Sequence, residues 1–256
     1  MPPPCPTRAS TLNVLEIQEL SKRFGPHTVL DRVSLFVGQA TFFGLVGGNG
    51  AGKTTLIQCL LDLCRPDAGA IQLFGLPTTH HAARRQVAYL PERFLPPAHL
   101  DGREFLVYML RLHGVSPSVT HMEEAVASLD MDPAALGKPI RTLSKGMTQK
   151  LGLASCLLSG KELLLLDEPS SGLDPLARAL LKRQLLHRKQ QGLTLFINTH
   201  ILTDVENLCD AMAILHQGKV LFVGSPNACR EQFGGDSLEE SYLNVVRHAG
   251  NLEKIL

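Results

Sequence analysis

The chain of 256 residues has few aromatic residues and no long apolar run. Tryptophan is absent, and aromatic residues make up 5% of the sequence. A helix that spans a bilayer needs roughly 18 consecutive apolar residues, whereas the longest apolar stretches, residues 151–158 and 163–166, are separated by polar positions. Residues 1–8 lack the apolar segment of a secretory signal. We therefore expect any role at a membrane to depend on a partner protein.

An excess of charge of one sign is also missing. The 25 Lys and Arg residues are balanced by 24 Asp and Glu residues, which gives a formal net charge of +1. This balance argues against a broad nucleic-acid-binding surface.

The six cysteines include no Cys-x-x-Cys spacing, so neither a zinc site nor a disulfide framework is predicted. We expect buried free thiols, as in a reducing cytoplasm.

Residues 47–55 contain the most informative motif in the chain. They fit the P-loop pattern of Gly, four residues and Gly-Lys-Thr, and apolar residues flank them on both sides, which predicts a buried strand, a loop and an amphipathic helix. The backbone N–H groups of such a loop converge on an anion. Lys53 would reach the outer phosphates of a nucleotide and the Thr54 hydroxyl would bind Mg²⁺. The alternative is a Gly-rich turn followed by a chance Lys-Thr pair. The predicted nucleotide-binding residues are Gly47, Gly48, Asn49, Gly50, Ala51, Gly52, Lys53, Thr54 and Thr55.

A second motif consists of four leucines at residues 163–166 followed by Asp167 and Glu168. A buried parallel strand delivers its last side chains to the edge of the sheet where nucleotides bind. Asp167 is therefore a candidate to hold Mg²⁺ through water, and Glu168 is a candidate general base for an attacking water. A core strand that ends in two solvated acids is the alternative.

The order of the predicted elements indicates an α/β fold with a helical insert. Strands are expected at residues 12–20 and 29–37, with a turn at residues 22–26, and three helices are expected at residues 102–113, 118–129 and 147–158. Alternation of strand and helix then resumes. A helix at residues 175–190 begins with proline, which is favoured in the first turn.

Residues 143–147, Leu-Ser-Lys-Gly-Met, lie shortly before the Asp167–Glu168 pair. Ser144 and the Gly146 amide stand at the start of a predicted helix, where an anion is favoured. With the two motifs above, this stretch resembles the Leu-Ser-Gly-Gly-Gln signature of the nucleotide-binding subunits of ATP-binding cassette (ABC) transporters. Lys145 and Met147 depart from that signature in a way that is similar to the drug, haem and polysaccharide exporters of the family.

The resemblance also implies roles for residues outside the three motifs. Ser144 and Gly146 would contact ATP held by the P-loop of an opposite subunit. Asp174 closes a stretch that resembles the D-loop, and His200 is similar to the switch histidine that contacts the γ-phosphate. Phe24 stands where the family stacks an aromatic ring on adenine, and an ordinary core phenylalanine is the alternative.

Two further positions differ from the family pattern. Glu92 stands where most cassettes carry Gln, and its carboxylate could accept a hydrogen bond from Mg²⁺-bound water but could not donate one. Gly48 replaces the usual Pro of the P-loop.

Phe94, Leu95 and Leu100 would line the groove that receives a permease helix, or they would pack inside the helical subdomain.

The fold implied by the resemblance is an α/β P-loop NTPase core sheet with an antiparallel β subdomain and an inserted helical subdomain. The ABC ATPase domain would cover residues 12–224, with the helical subdomain at about 92–159. A disordered leader would occupy residues 1–11 and a C-terminal helical extension would occupy residues 225–256.

The implied activity is hydrolysis of ATP to ADP and phosphate with Mg²⁺, in which Lys53, Glu168 and His200 are the catalytic residues. The residues that would bind the metal ion are Thr54, Asp167 and Glu92. The implied partners are an integral membrane permease and a second cassette, either another copy of this chain or a related one, with no nucleic acid. The protein would be cytoplasmic and peripheral on the membrane through the permease. The alternatives are a soluble ABC ATPase that acts on ribosomes or DNA, and a non-hydrolysing regulatory cassette.

Overall fold

A computed structural model describes residues 13–253, with side chains described as far as residue 250. The predicted leader at residues 1–11 lies outside the described residues. The strands are β1 (Asn13–Phe24), β2 (His27–Gly38), β3 (Phe42–Val46), β4 (Ala68–Leu73), β5 (Leu76–Pro77), β6 (Val87–Leu90), β7 (Leu163–Asp167), β8 (Thr194–Asn198), β9 (Ala211–His216) and β10 (Lys219–Gly224). The helices are α1 (Lys53–Leu60), α2 (Gly102–Leu112), α3 (Val119–Ala127), α4 (Lys145–Leu158), α5 (Pro175–Gln190), α6 (Leu202–Leu208), α7 (Pro226–Phe233) and α8 (Leu238–Glu253).

Within the described part of the chain, the strands form a six-stranded and a four-stranded sheet. The larger sheet has the order β10-β9-β3-β8-β7-β6, and its strands are parallel except for β10. Every residue of β3, β7 and β8 is buried, as expected for parallel strands covered on both faces. The smaller sheet is antiparallel, with the order β2-β1-β4-β5. The predicted α/β fold class is confirmed.

The central strands bring three separate parts of the sequence to one sheet edge. Strand β8 lies between β3, which leads into the P-loop, and β7, which ends at Asp167. In the β7–β8 register Asp167 is opposite Asn198. The carboxyl ends of these strands therefore carry the P-loop, the two acidic residues and the segment before His200.

The predicted turn at residues 22–26 is wrong at its start. Strand β1 continues to Phe24, which pairs with His27, so the turn contains only Gly25 and Pro26. A long-range contact supports the extension, because the Arg23 N–H donates to Asp67 Oδ2 at 2.6 Å. No pattern within residues 20–26 signals that contact.

The three helices predicted in the insert are present as α2, α3 and α4, although α4 begins earlier than expected. Ser144 is the N-cap of α4 and its hydroxyl accepts from the Met147 N–H at 3.2 Å, so the helix starts at Lys145 and not at Met147. Helix α5 has the predicted bounds. Helices α7 and α8 lie in the tail, which was expected to be helical. No helix within residues 13–253 has both the length and the apolar composition needed to cross a membrane.

Candidate functional site

The P-loop is fixed tightly between two other strands. A Cβ on Gly47 would lie 2.3 Å from the Leu215 carbonyl oxygen of β9, and a Cβ on Gly52 would lie 2.7 Å from the Val29 carbonyl oxygen of β2. Gly52 also has φ = 105°, a conformation that glycine adopts without steric cost. Glycine at these two positions lets the loop close over the start of α1.

Lys53, the first residue of α1, lies across the loop. Its ammonium donates to the carbonyl oxygens of Gly47 at 2.7 Å and Gly48 at 3.1 Å, and the residue is 9% exposed. Burial lowers the pKa of Lys53, while the negative charges of Glu168, Asp167 and Glu92 oppose that shift. The three carboxylates therefore help to keep the buried cation charged.

Asp167 is buried at the end of β7, and its carboxylate is held by the neighbouring strand. Asn198 Nδ2 donates to Asp167 Oδ1 at 2.5 Å. Burial raises the pKa of Asp167, and the nearby charges of Glu92 and Glu168 raise it further. The hydrogen bond from Asn198 and the charge of Lys53 act in the opposite direction.

Glu168 has a left-handed backbone with φ = 49°, which is uncommon for a residue that is not glycine. Such a conformation costs roughly 1–3 kcal/mol and is typical of functional sites. Its backbone is fixed on both sides, because its N–H donates to the Asn198 carbonyl at 2.8 Å and its carbonyl accepts from the Ser171 N–H at 3.0 Å. Glu168 is buried, with 7% of its surface exposed.

The Glu168 carboxylate is held by the segment that follows β8. Its Oε1 accepts from the His200 N–H at 2.9 Å and lies 2.8 Å from His200 Nδ1, while Oε2 accepts from the Thr199 hydroxyl at 3.3 Å. The His200 ring itself is 68% exposed. The Nδ1 edge of the imidazole thus contacts Glu168, and most of the ring is exposed at the cavity.

Most of these groups line one open cavity of about 770 Å³, whereas Asp167, which is hydrogen-bonded to the lining residue Asn198, is not itself part of the lining. That volume lies within the range of cofactor pockets. The structure brings together most of the predicted site residues, and it adds two that sequence reasoning missed, Val29 and Asn198. The lining residues are Val29, Gly47, Gly48, Asn49, Gly50, Ala51, Gly52, Lys53, Thr54, Thr55, Glu92, Glu168, Asn198 and His200.

Phe24 does not line this cavity and is not a core residue. It lies at the end of β1 with 51% of its surface exposed, and the Lys22 ammonium lies 5.1 Å from the centre of its ring. The alternative that Phe24 packs in the core is therefore wrong. The Lys22 ammonium lies over one face of the ring, and about half of the residue is exposed to solvent.

Ser144, Gly146 and Asp174 also lie outside the cavity lining, and the segments that carry them contact each other. A Cβ on Gly146 would lie 2.8 Å from the Gly172 carbonyl oxygen, so the start of α4 packs directly on the loop before α5. Asp174 caps α5 by accepting from the Ala177 N–H at 2.9 Å. That hydrogen bond lowers the pKa of Asp174, with a smaller contribution from the Lys150 charge.

Two buried polar residues of α4, Gln149 and Lys150, contact the loop between β7 and α5, and no sequence pattern predicts these contacts. Gln149 Nε2 donates to the carbonyl oxygen of Pro169, one residue after Glu168, at 3.2 Å. The Lys150 ammonium donates to the Asp130 carbonyl at 2.6 Å and lies 3.8 Å from Asp174 Oδ2. Helix α4 is therefore linked to both ends of the loop between β7 and α5.

The apolar residues after Glu92 divide between the two predicted outcomes. Phe94 and Leu100 pack against the core, and Phe94 makes an edge-to-face contact with Phe105 at 5.7 Å between ring centres. Leu95 is 73% exposed. The packing alternative is thus confirmed for Phe94 and Leu100, and only Leu95 presents most of its surface to solvent.

The described cysteines are free thiols. Cys59, Cys156, Cys209 and Cys229 are buried and Cys64 is half-buried. Burial raises the thiol pKa values of the first three to about 12 and that of Cys229 to about 11. Because only the thiolate is nucleophilic, these four groups are chemically inert near neutral pH.

Comparisons with known proteins agree on one family. Residues 30–171 match the family described as ABC transporter. An uncharacterized ABC transporter ATP-binding protein from Synechocystis sp. is 38% identical over 254 residues, which cover 95% of this chain and 70% of that protein. The Nod factor export ATP-binding protein I of Ralstonia nicotianae is 35% identical over 229 residues, which cover 88% of this chain and 71% of that protein. A solved structure described as the ATP binding subunit of an ABC transporter is 33% identical, with a TM-score of 0.83 over 91% of this chain and 99% of that one.

Proposed function

The chain belongs to the ABC transporter family as an ATP-binding subunit and an ATPase, and from this membership we propose that it energises export through a separate membrane permease. One observation carries the assignment of the site. The P-loop with Lys53, Glu168 and His200 come from three distant segments and line one cavity, and Asp167 is bonded to Asn198 of the same lining. The alternative of a soluble cassette that acts on ribosomes or DNA is not favoured, because the relatives are named as transporter subunits.

In the proposed binding mode the P-loop holds the phosphates of ATP. Its backbone N–H groups and the N-terminus of α1 supply a positive field, and the buried Lys53 ammonium adds a full charge next to the outer phosphates. Phe24 would stack on adenine through the ring face opposite the Lys22 ammonium, since the residue is exposed at the end of β1. The proposed phosphate-binding residues are those of the loop from Gly47 to Thr55.

The residues around the cavity fit a magnesium ion. Mg²⁺ prefers oxygen ligands and keeps several of its waters, and the set here consists of the Thr54 hydroxyl with the Asp167 and Glu92 carboxylates. Asn198 Oδ1, which has no hydrogen-bond partner among residues 13–250, adds another acceptor next to Asp167. Bound there, Mg²⁺ would neutralise charge on the phosphates.

In the proposed reaction Glu168 removes the proton of a water that attacks the γ-phosphorus. The new oxygen–phosphorus bond forms as the bond to the β-phosphate oxygen breaks, so that ADP and phosphate are the products. His200 holds the Glu168 carboxylate through two nitrogen atoms. The open side of its ring would donate to the γ-phosphate. Fixed orientation of base and water is the chief contribution of the protein to such a step.

We propose that the site is completed by a second cassette, either another copy of this chain or a related one. Ser144 and Gly146 lie at the N-terminus of α4 but outside the cavity of their own chain. They would bind the phosphates of ATP in the opposite subunit, and Asp174 would lie in the loop that couples the two sites. Lys150 and Gln149 connect that loop to α4 within one chain.

Two observations support export as the direction of transport. Lys145 and Met147 are similar to exporter signatures, and several relatives are named Nod factor export ATP-binding proteins. The chain would bind the cytoplasmic face of the membrane through its permease, with the exposed Leu95 as one contact, and would use no nucleic acid. The cassette would span residues 12–224, with the helical subdomain at about 92–159 and the tail from residue 225 as an extension.

The test is ATP hydrolysis by the complex purified in detergent with its membrane partner. Glu168→Gln keeps the size of the side chain and removes its basicity, so turnover should fall roughly 10²–10⁴-fold while ATP still binds. Glu162→Gln, at an exposed position just before β7, is the matched control and should keep wild-type turnover. Wild-type hydrolysis by Glu168→Gln would refute the general-base role.

A further inference from the structure

Asn198 lies between the strand that leads into the P-loop and the strand that ends at Asp167. It is the last residue of β8, 2% exposed, and it pairs with Leu45 before the P-loop on one side and with Asp167 on the other. It also lines the cavity with Lys53, Glu168 and His200. The buried amide of Asn198 is therefore part of the lining of the proposed ATP-binding cavity.

The orientation of the Asn198 amide follows from its neighbour. An ionised Asp167 carboxylate accepts hydrogen bonds and has no proton to donate. The nearby amide must therefore present Nδ2 to Asp167 Oδ1, as observed at 2.5 Å. The opposite orientation would bring two acceptor oxygens together. Asn198 Oδ1 is thus the atom left for a different partner.

That oxygen has no partner within the described protein. Among the side chains of residues 13–250, Asn198 Oδ1 is the single buried polar atom without a hydrogen bond. Buried acceptors in native proteins are nearly always satisfied, because leaving one unpaired loses the hydrogen bonds it makes to water. Its partner is therefore expected among the contents of the cavity.

The neighbouring donors have other partners. The Thr199 hydroxyl and the His200 N–H donate to Glu168. Lys53 Nζ uses two of its three N–H groups on the Gly47 and Gly48 carbonyls, and in the proposed function the third is directed at the outer phosphates. A phosphate oxygen would not serve, because it is an acceptor that an amide oxygen repels. A water molecule is the remaining donor of suitable size, and a water bound to a cation is an especially strong one.

We propose that Asn198 is a positioning residue with two functions, in which Nδ2 orients Asp167 and Oδ1 accepts a hydrogen bond from a water ligand of the divalent cation bound with ATP. This inference rests on the proposed function and adds a residue that supports the metal. Groups that orient metal ligands in this way typically change metal affinity about 10–100-fold when removed. The role of Asn198 should therefore appear in the Mg²⁺ dependence of nucleotide binding.

The experiment measures the affinity of the purified protein for a fluorescent ATP analogue in the presence of Mg²⁺ and in EDTA. Asn198→Leu removes both polar atoms at similar volume, and Asn198→Ser is a smaller variant in case leucine prevents folding. Asn207→Leu is the matched control, since Asn207 is exposed on α6 and its amide bonds only to the Thr203 carbonyl.

We expect the Asn198 variants to differ from wild type in Mg²⁺ but not in EDTA. In EDTA both Asn198 variants should bind the analogue within about twofold of wild type, whereas the gain in affinity from Mg²⁺ should fall about tenfold or more. A wild-type Mg²⁺ gain in a folded variant would overturn the inference alone, as would equal weakening in both conditions. Failure of the wild-type protein to bind the analogue would instead overturn the proposed function together with it.

Discussion

Glu168 Oε1 receives two contacts from the same histidine, the backbone N–H of His200 at 2.9 Å and ring atom Nδ1 at 2.8 Å. The backbone of Glu168 is itself held by the Asn198 carbonyl. The segment from residue 198 to 200 therefore controls both the backbone and the carboxylate of the proposed base. A change at His200 can alter the site through the side chain while leaving the backbone contact in place.

His200→Ala tests the ring contact separately. A hydrogen bond to a charged group contributes roughly 1.5–3 kcal/mol, which corresponds to a loss of about 10–100-fold in turnover at 1.4 kcal/mol per tenfold. We expect the loss to be smaller than that of Glu168→Gln, because the backbone N–H still holds Oε1. His187→Ala, on the exposed face of α5, is the control, and equal turnover of the two variants would contradict the assignment.

Gly47→Ala should disrupt the P-loop for purely steric reasons. The new Cβ would lie 2.3 Å from the Leu215 carbonyl, and overpacking of this kind costs roughly 1–3 kcal/mol of unfolding free energy. The adjacent Gly48→Ala is a close control, since its Cβ would meet no atom nearer than 3.8 Å, the Tyr242 hydroxyl. Urea unfolding and nucleotide affinity measured on both variants check the difference. Equal effects at the two positions would show that the close approach of β9 is unimportant.

Lys150→Met should loosen the connection of α4 to the segment after α3, at Asp130, and to the loop before α5, at Asp174. The variant keeps the length of the side chain but removes the hydrogen bond to the Asp130 carbonyl and the ion pairs with Asp130 and Asp174. Losing the partner of a part-buried acceptor costs roughly 1–3 kcal/mol, which denaturant unfolding would detect. Lys138→Met replaces an exposed lysine of the same helical region and should stay within about 0.5 kcal/mol of wild type. A Lys150 variant as stable as the control would contradict the link.

Asp174 makes a pH-dependent contribution to stability. Its pKa is lowered in the folded state, chiefly by the hydrogen bond from the Ala177 N–H, so its charged form is stabilised by folding. The contribution is present above the unfolded pKa of 3.8 and is lost as the pH falls through the lower folded pKa. Asp174→Asn keeps a capping oxygen and removes the charge, so its stability deficit against wild type should shrink between neutral and acidic pH. Asp236→Asn, at an exposed loop position, controls for net charge, and a deficit that is constant with pH would refute the account.

The motifs recognisable in the sequence are those made by adjacent residues. The P-loop and the Asp167–Glu168 pair each lie within a few positions, so their local structure follows from neighbouring residues. The α/β fold and the bounds of α5 could be predicted for the same reason. Patterns of this kind report short-range geometry.

The parts that sequence reasoning missed depend on contacts between distant segments. The Asn198–Asp167 pair exists only because β8 is inserted between β3 and β7. The left-handed backbone of Glu168 is maintained by a partner 30 residues away in the sequence, as the pairing of residues 168 and 198 shows. The extension of β1 to Phe24 depends on Asp67. None of these partners is marked by composition or periodicity.

The most direct measurement is hydrolysis by a mixed pair of chains in the permease complex, one with Lys53→Met and the other with Ser144→Arg, isolated by two affinity tags. If each site combines the P-loop of one chain with the α4 N-terminus of the other, the mixed pair contains one intact site. We predict almost no activity from either variant alone and about half of the wild-type rate from the mixed pair, because a two-fold pair has two equivalent sites. A mixed pair as inactive as its parents, with both chains folded and the Ser144→Arg chain still binding ATP, would contradict the shared site.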